Sequence, residues 1–190
     1  ELGIFKGASL RMWQHFLPRA TIHGLDNGRL VTEEEMAAME TDRISTFIAD
    51  QKDRESLRAV VEGHTYDVIV EDGHHYMDTQ QVSLGFLFPY VKPGGVFIME
   101  DIHPLGNGFG QVDRLNNTDS TLEIIYALKE NRPITSPHLF DYEVAYLREQ
   151  IAHIYVQTIE RRFQDNPDVV HEHSIAFFVK KAAKAKTEAA

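Results

Sequence analysis

No cysteine occurs among the 190 residues. Disulfides, thiolate metal sites and cysteine nucleophiles are thereby excluded. No apolar run approaches the ~20 residues that a membrane helix needs, and no signal peptide is read in the chain. A membrane partner is therefore not expected, and a cytoplasmic location is. Positive charge is scarce: 19 Lys and Arg stand against 29 Asp and Glu, a formal net charge of −10. There is no basic stripe ahead of the Lys-bearing tail. Nucleic acid is not an expected partner either, because phosphate backbones are bound by clustered Lys and Arg. The rest of the composition, 43% hydrophobic and 25% charged, is ordinary for a globular domain. The length suits one α/β domain with a substantial core.

Periodicity predicts alternating strands and helices. Helices are expected over Ser9–Phe16, Thr32–Met39, Arg54–Glu62, Thr79–Tyr90 and Thr121–Lys129. The second opens on a capping box, Thr32 with Glu35. Strands are expected over Ala20–Leu25, Ile44–Ala49, Tyr66–Val70 and Val96–Met99. A final pair, Ile151–Thr158 and His173–Val179, reads as an antiparallel hairpin joined around 164–168. Trp13 and Phe16 read as core residues, and Pro104–Gly110 as a flexible loop near the site. Such alternation predicts a doubly wound, mostly parallel α/β sheet (Rossmann-like) with right-handed crossovers. The stretch Glu1–Gly7 reads as a strand end running into a turn, without the apolar strand that usually precedes one. The expectation is a chain that begins inside its domain, with one domain over 1–180 and an Ala/Lys-rich tail over 181–190, and with the chain solvated from Lys180 onward.

Ligands bind outside the carboxyl ends of such a sheet. Asp26, Asp50, Asp72, Glu100 and Asp101 all fall at those ends. Gly3, Gly7 and Ser9 form a turn at a helix N-terminus, where free N–H groups favour an anion. Asp26 ends the next strand, where an acid can hold both hydroxyls of a ribose. The glycine spacing is not that of a dinucleotide site. The alternative is an ordinary turn beside a solvated acid. Asp50-Gln51 is placed either to meet an adenine edge or to cap the helix at Arg54. Asp72, Glu100 and Asp101 end consecutive strands. Three carboxylates converging there would repel and raise their pKa values, a penalty that a hard cation removes. Solvated strand-end acids are the alternative. His75, three residues past Asp72, can be aimed back at a ligand and accept a proton. His103 is placed to touch substrate, and His74 reads as structural.

The segments Glu1-Leu-Gly-Ile-Phe-Lys-Gly-Ala-Ser9, Ile22-His-Gly-Leu-Asp26, Ala49-Asp-Gln51, Asp67-Val-Ile-Val-Glu-Asp-Gly-His-His75, Phe88-Pro-Tyr-Val-Lys-Pro-Gly-Gly95 and Met99-Glu-Asp101 resemble the class I S-adenosylmethionine-dependent methyltransferases. Within them the chain looks most like the metal-dependent macrolide sugar O-methyltransferases of the mycinamicin and tylosin type, with cephalosporin-modifying methyltransferase-like proteins as relatives. The resemblance covers about residues 1–110. It implies that Glu1, Gly3, Gly7 and Ser9 bind the amino-acid end of S-adenosyl-L-methionine, and that Asp26 binds its ribose. It implies Asp50 and Gln51 at the adenine and Asp72 beside the cofactor. Asp72, Glu100 and Asp101 would ligate Mg²⁺, with His75 as the base. The partner implied is a small molecule carrying a hydroxyl, such as a sugar or a glycosylated natural product. Relatives of this kind are commonly oligomeric, so a homo-oligomer is among the expectations. Two rivals stand beside this reading: a nicotinamide-dependent oxidoreductase on a similar sheet, and a non-catalytic cofactor-binding scaffold.

Overall fold

Leu2 joins the two halves of the sheet in the computed structural model. Its N–H donates to the Val70 carbonyl at 2.9 Å, and its own carbonyl accepts from the Asp72 N–H at 3.0 Å. On the other side the Gly3 N–H donates to the Leu25 carbonyl, and the Leu25 N–H donates to the Glu1 carbonyl. The structure describes residues 1–103, 118–163 and 166–183, with the main chain alone over 160–163 and 166–173.

The elements in chain order are α1 (Ala8–Phe16), β1 (Ile22–Asp26), α2 (Glu33–Ala37), β2 (Ile44–Ile48), α3 (Arg54–Val61), β3 (Tyr66–Glu71), α4 (Met77–Leu87), a 3₁₀ turn at Phe88–Tyr90, β4 (Val91–Ile102), α5 (Thr121–Glu130), α6 (Asp141–Gln150), β5 (Ile151–Phe163) and β6 (Asn166–Lys180). β1 pairs with β2 in parallel, and β3 with β4 in parallel. β6 lies antiparallel to both β4 and β5. With Leu2 between Leu25 and Glu71, the sheet order is β2-β1-Leu2-β3-β4-β6-β5. The expected doubly wound sheet with a closing antiparallel pair is therefore present.

Local chemistry explains most boundaries. Thr32 and Glu35 make the reciprocal capping box expected at α2. α3 is capped by Asp53, whose carboxylate accepts the Glu55 N–H. Asp50 is not the cap that one reading allowed; its carboxylate accepts the Lys52 N–H instead. α4 is buried on all sides, including Gln80 and Gln81. Their amides are satisfied by the main-chain carbonyls of Glu100 and Asp119. One core cluster runs from Leu25 through Leu57, Phe88 and Phe97 to Phe178. A smaller one gathers Ile4, Leu10, Ile22, Met36 and Ile44 under α1 and α2.

Several expectations need correction. β4 begins at Val91, not Val96, because Lys92-Pro-Gly-Gly95 is an irregularity within the strand and not a turn ahead of it. β4 also runs through Glu100 and Asp101, with a second irregularity between Met99 and Ile102. α6 was not expected at all. Lys180 is 6% exposed and not solvated: its ammonium donates to the carbonyls of Phe88, Pro89 and Val91. Phe16 is 70% exposed, so of the aromatic pair only Trp13 packs inward. The Pro104–Gly110 loop and the tail beyond residue 183 lie outside the described residues.

Candidate active site

The glycine turn sits at the middle of the sheet's carboxyl edge, between β1 and β3. Gly3 has φ +81°, and a Cβ there would stand 2.2 Å from the Asp72 carbonyl oxygen. Only glycine fits that approach. Gly7, at φ +70°, opens α1 with no side-chain cap on the first-turn N–H groups. An anion is the natural partner for such an end. Ser9 lies in that first turn, half-buried. The Glu1 carboxylate is held by the Trp13 indole N–H at 2.6 Å.

Asp26 follows on the next strand. Its carboxylate accepts from the Phe5 N–H at 3.4 Å and the Gly28 N–H at 3.1 Å, which places it against the glycine turn as expected. Asp50 lies at the rim one strand further out. The Gln51 side chain does not reach the rim; it is buried and donates to Glu71. A salt bridge of 2.6 Å from Lys52 to Asp78 ties the loop after β2 to the start of α4.

The acids after β3 and on β4 converge with a histidine. One ligand atom each from Asp72, His75 and Asp101 lie within 4.8 Å of one another. His75 Nε2 is 3.8 Å from Asp72 and 3.9 Å from Asp101. Both His75 (φ +56°) and Asp101 (φ +47°) take a left-handed backbone, uncommon for non-glycine residues although Asp and His adopt it more readily than most, and found where side chains are aimed at a site. Glu100 is not in that set, although its charge is felt by Asp72. His103 lies half-buried just beyond β4.

The electrostatics report crowding. Asp72 is pushed up to about 7, first by burial and then by the charges of Glu100, Glu1 and Asp101. Glu100 is raised by burial and by Asp101 and Glu1. Glu71, fully buried one residue before Asp72, is pushed up to about 7 by burial, against the hydrogen bond from Gln51. Carboxylates that repel one another fit a hard divalent cation with oxygen donors, and the imidazole stands beside them. The sequence pointed to the acids and to His75. It did not single out Glu71, whose only signal was its place directly after Val-Ile-Val in a central strand.

The sheet order, the glycine turn and the acids at the strand ends define the class I methyltransferase fold. A solved structure of the MycE methyltransferase of the mycinamycin pathway, in complex with Mg, SAH and mycinamycin VI, matches 99% of this chain with a TM-score of 0.67 at 25% identity. An O-methyltransferase from Klebsiella pneumoniae, described as putative in its structure, shares the fold alone at 14% identity and a TM-score of 0.51. In sequence the chain is similar to demethylmacrocin O-methyltransferase of Streptomyces fradiae, 37% identical over 97 residues, which are 50% of this chain and 23% of that enzyme. It is also similar to mycinamicin VI 2''-O-methyltransferase of Micromonospora griseorubida, 34% identical over 125 residues, which are 64% of this chain and 30% of that enzyme. The chain thus spans less than a third of these two enzymes in sequence and 46% of the solved structure. No family model matches. Among the described residues no helix is long and apolar enough to cross a membrane.

Proposed function

We propose that this chain is the catalytic part, a single domain over residues 1–180, of a metal-dependent O-methyltransferase that uses S-adenosyl-L-methionine. Its acceptor is a hydroxyl of a small molecule, a sugar or glycosylated natural product. The observation that carries the reading is the convergence of Asp72, His75 and Asp101 beside the Gly3 turn. The relatives named above are O-methyltransferases, in keeping with this.

Glu1, Gly3, Gly7 and Ser9 would hold the amino-acid end of the cofactor, and Asp26 the ribose hydroxyls. Asp50, with Gln51 behind it, would close the adenine end. Bound S-adenosylmethionine supplies the methyl group already activated. Asp72, Asp101 and Glu100 would hold Mg²⁺, which supplies Lewis acidity toward the acceptor hydroxyl. His75 would remove the hydroxyl proton at Nε2, with the nearby Asp72 and Asp101 carboxylates stabilising the imidazolium that results. His103, at the end of β4, is assigned to the acceptor side. The enzyme is read as cytoplasmic and homo-oligomeric, with neither nucleic acid nor membrane as partner. No observation favours the nicotinamide or scaffold readings.

The test is release of S-adenosylhomocysteine from S-adenosylmethionine across a panel of glycosylated macrolides, with and without chelator. Turnover that stops in excess EDTA and returns with Mg²⁺ is expected. Undiminished turnover in EDTA would remove the metal, and cofactor binding without turnover on any acceptor would revive the scaffold.

A further inference from the structure

Gln51 lies on the loop where an adenine contact is expected, yet its side chain faces the other way. It is 5% exposed. Nε2 donates to Glu71 Oε1 at 2.8 Å, and Oε1 accepts from the His74 N–H at 3.2 Å. Gly73 presses on the same carboxamide: a Cβ there would stand 2.0 Å from Gln51 Oε1. These contacts bracket Asp72, with residue 71 before it and residues 73 and 74 after it. His74 is gripped a second time, because Asn27 Nδ2 lies 2.8 Å from its Nε2. Asn27 follows Asp26 directly, so the loops after β1, β2 and β3 are tied through one turn. The next residue is His75, whose φ of +56° brings its ring back toward Asp72 and Asp101.

We propose that the Gln51 side chain positions the metal-binding turn and makes no cofactor contact itself: its carboxamide, wedged between Glu71 and the His74 N–H, fixes residues 71–75 so that Asp72 and His75 converge. The inference rests on the metal-dependent reading above. A carboxamide is the side chain that carries a donor and an acceptor on one rigid plane, and this site uses both. A carboxylate in its place would face Glu71 with a second acceptor, and an apolar side chain would take one hydrogen bond from Glu71 and the side-chain acceptor from the His74 N–H.

The experiment uses the purified chain with Mn²⁺ as probe of the metal site and S-adenosylhomocysteine as probe of the cofactor site, each followed by calorimetry. The native protein is expected to bind both. A native protein that binds S-adenosylhomocysteine but no Mn²⁺ defeats the metal-dependent reading itself, which separates that failure from failure of the present inference. In Gln51→Leu, Mn²⁺ affinity is expected to fall about 10–100-fold, the usual cost of losing a group that orients a ligand, while S-adenosylhomocysteine affinity moves by less than about threefold. The reverse pattern, native Mn²⁺ affinity with weakened S-adenosylhomocysteine, makes Gln51 a cofactor contact and overturns the proposal. Should Gln51→Leu not fold, Gly73→Ala displaces the same carboxamide from its other face and is read on the same two affinities. Native Mn²⁺ affinity in that variant likewise overturns it.

Discussion

His75 Nε2 stands nearly equidistant from two carboxylates, 3.8 Å from Asp72 and 3.9 Å from Asp101. That position suits a base whose conjugate acid is stabilised on both sides, and it also suits a third metal ligand. The two roles separate by measurement. His75→Ala is expected to slow methyl transfer by about 10²–10⁴, the range for loss of a general base. Mn²⁺ affinity measured on the same variant is expected to stay within the native order. A fall in Mn²⁺ affinity as large as the fall in rate would make His75 a ligand instead.

Asp72 and Glu71 give the metal-free protein an unusual pH dependence. Both are pushed up to about 7, whereas unfolded carboxyls titrate near 4. Between those values the folded chain binds more protons than the unfolded one, so stability falls as pH rises from about 4 to about 7 and then levels. Asp67 and Glu35 are shifted the other way, by the Lys92 ion pair and the Thr32 cap, but both are exposed and solvent screens them. His23 and His138, lowered by partial burial, also oppose the trend, and the two acids, each pushed up to about 7, outweigh them. In EDTA the melting temperature is therefore expected to be higher at pH 5.5 than at pH 8. Mg²⁺ should raise it more at pH 8, where the acids are ionised and free to bind. A melting temperature that rises with pH in EDTA would contradict this account.

The parallel sheet was legible because Ile44–Ile48 and Tyr66–Glu71 are short apolar runs ending in acids, and because the turns between them carry Gly or capping residues. The same punctuation puts Asp26, Asp72 and Asp101 on one edge of the sheet. Where the reading failed, distant contacts decide. α6 buries only Glu143 and Leu147, so it has no apolar stripe to read. It is held by Arg54, which pairs with Glu143 at 2.7 Å from 89 positions away and lies over the Phe140 ring. Lys92-Pro-Gly-Gly95 has turn chemistry, and a turn-like irregularity within β4 uses the same residues. The burial of the Gln51 side chain is not legible in sequence, since a loop residue faces a ligand or the core according to what packs beneath it.

Lys180 is the least expected of these. Three carbonyls, two in the 3₁₀ turn after α4 and one at the first residue of β4, converge on its ammonium at 2.7–3.2 Å, and the rings of Phe88 and Tyr146 flank it at 5.5 and 5.2 Å. The ammonium thus adds donors where the main chain supplies few: of the three carbonyls, Phe88 also accepts the Val91 N–H. Lys180→Met keeps the stem and removes the donors. A loss of about 1–3 kcal/mol is expected for buried acceptors left unpaired. It should appear in urea as a lower midpoint at unchanged slope. A midpoint equal to that of the native chain would mean that water replaces the ammonium without cost.

Asp26 tests the cofactor side independently of the metal. Its two oxygens already accept the Phe5 and Gly28 N–H groups, so the carboxylate is fixed in direction before any ligand arrives. A carboxylate so fixed can accept both hydroxyls of a ribose, each hydrogen bond to a charged group being worth about 1.5–3 kcal/mol. Asp26→Asn keeps the shape, weakens one of the two bonds and removes the charge from the other. S-adenosylhomocysteine is therefore expected to bind about 10–100-fold more weakly, each tenfold being about 1.4 kcal/mol. Mn²⁺ affinity should hold, since Asp26 lies outside the Asp72, His75 and Asp101 set. If S-adenosylhomocysteine binds the variant as tightly as the native chain, the ribose does not lie at Asp26, and the cofactor's orientation across the sheet edge must be redrawn.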